Sequence, residues 1–132
     1  MRTIPLSLQD LISEFSKLPG IGKKTAERLS IHILKTNTDN VNSFIHALHQ
    51  IKENIKICEV CHAFKDEVCE ICNDSKRDQS VICIVKDPTE IFLIDKTNYN
   101  GLYHVLNGLI SPLDGIEASH LNIDSLLKRL SE

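Results

Sequence analysis

Tryptophan is absent from this 132-residue chain, and aromatic residues make up only 5% of it. No apolar run approaches the roughly 18 residues that a membrane span needs. The first residues, Met1 to Pro5, lack the uninterrupted apolar stretch of a secretory signal. The chain also has no internal repeat and no low-complexity tract. These absences lead us to expect a cytoplasmic protein with no membrane segment.

The composition that remains is typical of a globular protein. Apolar residues make up 42% of the chain and the net charge is only −3, which excludes disorder. The charge is unevenly spread: residues 1–56 hold eight Lys or Arg and five Asp or Glu, a net charge of +3, and the remainder carries −6. This asymmetry indicates either two surfaces with different partners or chance in a short chain.

Residues 1–56 are predicted to form three short helices. Apolar side chains recur at helical spacing over about residues 8–15, 23–34 and 41–55. The first two segments are separated by Leu18-Pro19-Gly20-Ile21-Gly22, where a proline and two glycines predict a tight turn. We therefore expect a helical hairpin followed by a third helix.

The second half is predicted to alternate strand and helix. The apolar run 80–85 is typical of a strand buried on both faces, and a second strand is expected near 102–106. Helices are expected near 88–96 and around 123–130. This order predicts a parallel α/β sheet. Because two parallel strands do not make a stable sheet, we expect the domain to be incomplete in this chain.

The tight turn leads directly into the start of a basic helix. Proline fixes the entry of the chain, the glycines permit unusual backbone angles, and free N–H groups at the helix start can bind a phosphate oxygen. Two lysines stand beside that point, and an arginine follows one helical turn later. The pattern predicts binding of the DNA backbone by Gly20, Gly22, Lys23, Lys24 and Arg28. The alternative is a plain helical hairpin with a solvated lysine pair.

Four of the five cysteines have the spacing of a zinc site. They form two Cys-x2-Cys pairs, Cys58 with Cys61 and Cys69 with Cys72. Two such pairs complete a closed tetrahedral shell of four thiolates, which suits one structural Zn²⁺ per chain and leaves no position for a substrate. The alternatives are disulfides, which a cytoplasmic location disfavours, and a redox dithiol, which two matched pairs disfavour.

Two further residues near the cysteines are given structural roles. His62 could also bind a metal, but four cysteines already complete the zinc site, and we expect the His62 side chain to be exposed. Cys83 lies within the apolar run and is interpreted as a small buried hydrophobe.

These features follow one another in a recognisable order. The most specific strings are Cys69-Glu70-Ile71-Cys72, then Arg77-Asp78 with Ile82-Cys83-Ile84-Val85, and the segment 101–116, GLYHVLNGLISPLDGI. On these strings the chain resembles the RecR family of bacterial recombination mediators, from the hairpin to nearly its last residue. The resemblance implies an α+β fold of several modules: a helix-hairpin-helix bundle at 1–56, a four-Cys zinc finger at 57–73 and a partial Toprim-like parallel sheet at 79–132.

The resemblance also implies a function. Proteins of this family are not enzymes, so no catalytic residue is expected. They form dimers that assemble into tetrameric rings and act as clamps on DNA, and the helix-hairpin-helix region serves as an oligomer contact. With the partners RecO and RecF they help to load RecA at gaps of single-stranded DNA. Carried onto this chain, DNA contact falls to Lys23, Lys24 and Arg28, and zinc to the four cysteines.

The sequence departs from the family pattern in two places. An acidic residue usually follows the first Toprim strand, whereas Lys86 stands here and Asp87 comes one position later. This departure argues against a Toprim metal site, because successive side chains of a strand point to opposite faces. Family members also run well past this chain, which we expect to be either truncated in mid-domain or a shortened natural form.

Two other classes of function are kept as alternatives. One is a DNA-processing enzyme of Toprim or helix-hairpin-helix type, which needs clustered carboxylates around Mg²⁺ or a catalytic Lys/Asp pair. Asp87, Glu90 and Asp95 are instead spread along the expected helix and are interpreted as a solvated face. The other alternative is a truncated interaction module, whose acidic half docks a basic partner.

Overall fold

The structure is a computed structural model and describes residues 3–131, so that Met1, Arg2 and Glu132 of the predicted segments lie outside the described residues. The chain divides into two compact units, residues 1–50 and 51–132. No helix in the described part of the chain is both long enough and apolar enough to cross a membrane. The two units are described separately below.

The first unit contains the three helices expected from the apolar spacing. Helix α1 spans Leu6–Ser16, α2 spans Lys23–Lys35, and α3 spans Thr38–Asn54 and continues into the second unit. The side chain of Asn37 accepts a hydrogen bond of 2.8 Å from the Asn40 N–H. An asparagine that satisfies an otherwise unpaired N–H of the first turn explains why α3 begins here.

The core of the first unit lies between α1 and α2. Ala26 and Ser30 of α2 are fully buried, and Ile12 of α1 is 9% exposed. The Ser30 hydroxyl donates to the Ala26 carbonyl at 2.8 Å, so that its polar group is satisfied inside the helix. Small side chains at these positions let the two helices approach closely. Helix α3 has no buried residue, and its predicted apolar stripe, which includes Phe44 and Leu48, is exposed.

The second unit combines a short antiparallel hairpin with a parallel sheet. Strands β1, Lys56–Ile57, and β2, Phe64–Lys65, pair antiparallel. Strand β3, Asp78–Val85, pairs in parallel with β4, Gly101–Val105, and helix α4, Thr89–Ile94, connects them. After two single-turn 3₁₀ helices, Pro112–Asp114 and Ala118–His120, the chain ends in helix α5, Ile123–Leu130. The parallel strand–helix–strand order predicted from the sequence is confirmed.

The core of the second unit joins the cysteine segment to the sheet. Buried cysteines pack in one cluster with Val85 of β3, Ile91 of α4, and Tyr103 and Val105 of β4. Cys83, interpreted as a small buried hydrophobe, is only half-buried, and it packs against this cluster. A segment too short to have a core of its own therefore shares that of the sheet.

The expectation that β3 is buried on both faces is wrong. Val81 is 44% exposed and Ile84 is 50% exposed, and Val85 is the only buried residue of the strand. All five residues of β4 are buried. The continuous apolar run correctly indicated a parallel strand, but the part of the chain that the structure describes leaves several of its apolar side chains exposed. The fold class is confirmed as α+β, with a helical first region, a four-cysteine segment and a parallel sheet.

Candidate nucleic-acid interface and metal centre

The turn between α1 and α2 has the geometry that its sequence predicts. The Ile21 N–H donates to the Leu18 carbonyl at 3.2 Å, and Gly20 between them has φ = 76°. Proline at the second position and a positive-φ glycine at the third define a type II turn. Only glycine adopts this backbone conformation without strain, which gives Gly20 a conformational role.

Helix α2 begins at an uncovered backbone terminus. Gly22 is the N-cap residue, with φ = −82° and ψ = 176°, and it supplies no side-chain hydrogen bond to the first turn. The first intrahelical bond runs from the Ala26 N–H to the Gly22 carbonyl, at 2.9 Å. The amides of Lys23, Lys24 and Thr25 therefore have no partner within the helix. A methyl group at Gly20 or Gly22 would meet no atom within 4 Å, so the backbone here is open to an approaching group.

The three candidate cations lie at this terminus and are exposed. Lys23 and Lys24 occupy the first turn of α2, and Arg28 follows four residues after Lys24. Within residues 3–131 none of the three forms an ion pair. Positive side chains, the positive end of the helix dipole and free N–H groups together form a site that suits a phosphate oxygen.

The four predicted cysteines form one compact cluster. The Sγ atoms of Cys58 and Cys72 lie 3.9 Å apart, those of Cys61 and Cys69 lie 3.6 Å apart, and all four lie within 4.8 Å of one another. Four thiolates at about 2.3 Å from one Zn²⁺ would have S···S separations of about 3.8 Å, so these residues fit the ion. No other group of three or more His, Cys, Asp or Glu in the described chain is arranged to hold a metal. The cluster can hold a metal ion and is compatible with zinc.

The thiols differ in acidity because their surroundings differ. Burial alone would raise the pKa of Cys58, but hydrogen bonds from the N–H groups of Cys61 and Val60 outweigh it and lower the pKa to about 7. Hydrogen bonding with Cys72 and burial raise the pKa of Cys61, and burial raises that of Cys69. A cation within the cluster would displace these protons, because the thiolate is the metal ligand.

The expectation that His62 is exposed is wrong. Its ring packs edge-on against the ring of His104, with centroids 5.1 Å apart at 78°, and its Nε2 lies 2.7 Å from the Ser125 hydroxyl. The chain turns back at His62, where φ is 65°, and the side chain lies against β4 and α5. Burial, followed by the charge of Arg129, lowers the pKa of His62. His62 is not part of the four-thiol cluster.

The sequence interpretation missed an ion pair inside the second unit. Asp95 was grouped with solvated acids, but its carboxylate accepts hydrogen bonds from both Nη atoms of Arg77 and from the Tyr103 hydroxyl. The hydrogen bond from Arg77 lowers the pKa of Asp95. Arg77 lies within one of the strings that carry the family resemblance, which was the only sequence signal for it.

The acids near the end of β3 are not arranged around one point. Asp87 is exposed, and its carboxylate accepts hydrogen bonds from the Thr89 N–H and hydroxyl at 2.8 and 2.6 Å. These bonds to Thr89 lower the pKa of Asp87. The carboxylate therefore fixes the start of α4, and the exposed Lys86 precedes it.

Both regions of the chain match known family models. One model, described as RecR, helix-hairpin-helix, matches residues 8–52, and a Toprim domain model matches residues 80–131. A protein named recombination protein RecR from Bacteroides thetaiotaomicron is 46% identical over 127 residues, which are 95% of this chain. Proteins of the same name from Chloroherpeton thalassium and Staphylococcus aureus are 45% and 47% identical over 100% and 96% of the chain.

Both regions of the chain are similar to RecR proteins.

This similarity confirms the resemblance drawn from the three sequence strings. The chain spans 62%, 66% and 65% of the lengths of these three relatives, a little under two thirds. The RecR helix-hairpin-helix match contains the turn and the start of α2, and the Toprim match contains β3, α4 and β4. The four-cysteine cluster lies between the two matched regions.

Proposed function

We propose that this chain is a DNA-binding, non-catalytic component of recombinational repair that acts as a clamp subunit. The relatives' name, recombination protein RecR, supports the process, and the uncovered start of α2 supports DNA contact. The observation that carries the proposal is the juxtaposition of the free N–H groups after Gly22 with three exposed, unpaired cations. Such a site holds phosphate oxygens and makes no contact with bases, so binding is independent of sequence.

The roles proposed at this surface are distinct. Lys23, Lys24 and Arg28 supply charge, Gly20 shapes the turn, and Gly22 leaves room for a phosphate beside the helix start. Each lysine or arginine that neutralises a phosphate releases counterions. The logarithm of the DNA-binding constant should therefore fall linearly with the logarithm of the salt concentration, and each contact should add about 0.9 to the steepness of that slope. Removal of a contact should therefore change both the affinity and the salt slope.

DNA titrations at several salt concentrations test this proposal. Lys23→Ala and Arg28→Ala should weaken binding, and each should reduce the salt slope by about 0.9. The matched control is Lys35→Ala at the other end of α2, about 18 Å away at 1.5 Å per residue, which should change neither. Affinity that is insensitive to salt, or an equal loss in the control, would contradict the proposed surface.

We propose one structural Zn²⁺ per chain, held by Cys58, Cys61, Cys69 and Cys72. The fit of the four thiols to a tetrahedral site supports this assignment. Zinc analysis of protein purified without chelators should give about one ion per chain, and Cys69→Ser should lose it. Cys83→Ser is the control, because this cysteine lies outside the cluster, and it should retain the metal. Zinc-free, folded protein would contradict the assignment.

A non-catalytic role is supported by the surroundings of the acids. Asp87 bonds Thr89, Asp95 pairs with Arg77, and the described residues bring no group of three acids together as a Mg²⁺ site. Purified protein should not cleave DNA when Mg²⁺ is added. Cleavage that requires Mg²⁺ would favour the enzyme alternative, a Toprim or helix-hairpin-helix DNA-processing activity.

The proposed partners are RecO and RecF, which act with this family in loading RecA on gapped single-stranded DNA, and further copies of this chain. We propose a cytoplasmic location, where this process takes place. Light scattering after size exclusion should give a dimer or a tetramer, as a clamp requires. A monomer that still binds RecO would instead support an interaction module.

A further inference from the structure

His62 occupies an unusual position between the metal ligand Cys61 and the buried Ala63. Its φ of 65° is uncommon for a residue with a side chain. Two backbone hydrogen bonds hold this conformation: the His62 N–H donates to the Cys58 carbonyl at 2.9 Å, and the Cys58 N–H donates to the Ala63 carbonyl at 2.8 Å. The orientation of the imidazole is therefore set by the turn that carries the first two thiols.

A chain of hydrogen bonds leads from His62 to α5. The Arg129 guanidinium can only donate, so its contact of 2.9 Å makes His104 Nδ1 an acceptor. A neutral His104 then carries its proton on Nε2 and donates to the Asn122 carbonyl at 2.7 Å. The Ser125 hydroxyl donates to the same carbonyl at 3.1 Å, which leaves its oxygen to accept from His62 Nε2 at 2.7 Å.

The turn is also tied to the sheet directly. The Val105 N–H of β4 donates to the Cys61 carbonyl at 2.8 Å, and Arg129 of α5 donates to the Tyr103 carbonyl at the same distance. The cysteine turn and α5 therefore both bond to backbone groups of β4. The imidazole of His62 also contacts Ser125 of α5 directly, 63 residues further along the chain.

Helix α5 buries little apolar surface of its own. It is eight residues long, and Leu126 is its only buried residue, whereas Leu127 and Leu130 are 58% and 61% exposed. Helices of this length are not stable by themselves in water and depend on tertiary contacts. The polar contacts made by Asn122, Ser125 and Arg129 therefore help to fix α5.

We infer that His62 is a latch that makes the docking of α5 depend on the metal-bound shape of the cysteine turn. The inference rests on the proposed zinc site. When the ion is held, the four ligands fix the turn and His62 meets Ser125. When it is lost, the turn relaxes, the His62–Ser125 hydrogen bond is released and α5 loosens. The metal centre then acts on a helix that contains none of its ligands.

Hydrogen–deuterium exchange of the full 132-residue chain tests the latch. Removal of zinc by a chelator should speed exchange in peptides from 123–131 as well as in those from 57–73. Loss of one hydrogen bond corresponds to roughly 2- to 10-fold faster exchange through local opening. Faster exchange confined to 57–73 would overturn the inference.

Variants separate the latch from general destabilisation. His62→Gly accepts the positive φ without strain and removes only the ring, so zinc content should stay at that of the parent while 123–131 exchanges faster. Ser125→Ala should have the same effect. Ser131→Ala is the matched control: its hydroxyl also bonds a backbone carbonyl of α5, that of Lys128, but it does not touch His62.

A double substitution gives the decisive comparison. If Ser125 acts through His62, adding Ser125→Ala to His62→Gly should produce less further change than Ser125→Ala alone. In the single variant Ser125→Ala, removal of zinc by a chelator should increase the exchange rate of 123–131 less than it does in the parent. This comparison tests the inference even if His62→Gly fails to fold. Full additivity, or an undiminished chelation effect, would overturn the latch. Zinc analysis of each sample shows separately whether the proposed metal site holds.

Discussion

Arg77 and Asp95 form a two-pronged ion pair across the second unit, with Nη1–Oδ1 and Nη2–Oδ2 distances of 3.0 and 3.1 Å. The Arg77 side chain is only 13% exposed, and its Nη1 also donates to the Gly101 carbonyl at 3.1 Å. The guanidinium lies 5.8 Å from the centre of the Tyr103 ring, and the Tyr103 hydroxyl donates to Asp95. One cation therefore holds the start of β3, the end of α4 and β4 together.

We expect Asp95→Asn to lower the free energy of unfolding of the second unit by roughly 1–3 kcal/mol, the range for a hydrogen-bonded charged group. The substitution keeps the shape of the side chain but removes the negative charge that both Nη atoms of the half-buried guanidinium contact. Urea denaturation followed by circular dichroism measures the change. Asp74→Asn is the control, because Asp74 lies 3.7 Å from the Arg77 Nε and should cost less. Equal losses for both variants would contradict a special role for Asp95.

The same pair makes stability depend on acid. Arg77 lowers the pKa of Asp95 in the folded state, so protonation at low pH favours the unfolded chain. The contribution of the pair is present above the ordinary aspartate pKa of about 3.9 and is lost as pH falls through the lower folded value. Urea midpoints measured from neutral pH downwards should therefore fall less steeply for Asp95→Asn than for the parent. Parallel curves would show that the pair does not titrate in this way.

Gly20 and Gly22 should respond differently to a methyl group. Gly20→Ala places an L-residue at φ = 76°, which costs about 1–2 kcal/mol, although no atom lies within 4 Å of the added carbon. Gly22→Ala has an ordinary backbone conformation and should destabilise the fold less. Gly22→Ala should nonetheless weaken DNA binding, because the methyl group stands where a phosphate would approach. Thermal unfolding and DNA titration of both variants measure the two effects, and the reverse ranking of stability would contradict this assignment.

Zinc affinity should fall as the pH is lowered. The pKa of Cys58 is about 7 and that of Cys61 is raised, so a metal must displace protons from the thiols at neutral pH. Competition with a chromophoric chelator should therefore show weaker zinc binding at about pH 6 than at about pH 8, with protons released to the buffer on binding. Binding that does not vary over this range would indicate thiols already ionised in the metal-free protein.

Local patterns predicted the parts of this protein that local chemistry controls. The spacing of Cys58, Cys61, Cys69 and Cys72 predicted one metal-binding cluster, and the four thiols lie together. Proline and glycine within 18–22 predicted the turn, because proline restricts the backbone and glycine frees it, whatever surrounds them. Helix and strand order followed from apolar periodicity. The burial of β3 was predicted wrongly, because an apolar run does not show what covers it.

The amino-acid sequence by itself therefore determined the hairpin, the four thiols and the order of helices and strands, since these depend on residues close together in the chain. Tertiary structure alone decided that Arg77 meets Asp95 and that His62 meets Ser125, pairs separated by 18 and 63 residues. Such contacts form only after the parallel strands align and α4 and α5 return to them. Arg77 and His62 are each partly withdrawn from water, and a charge or polar group removed from water must find a partner within the fold.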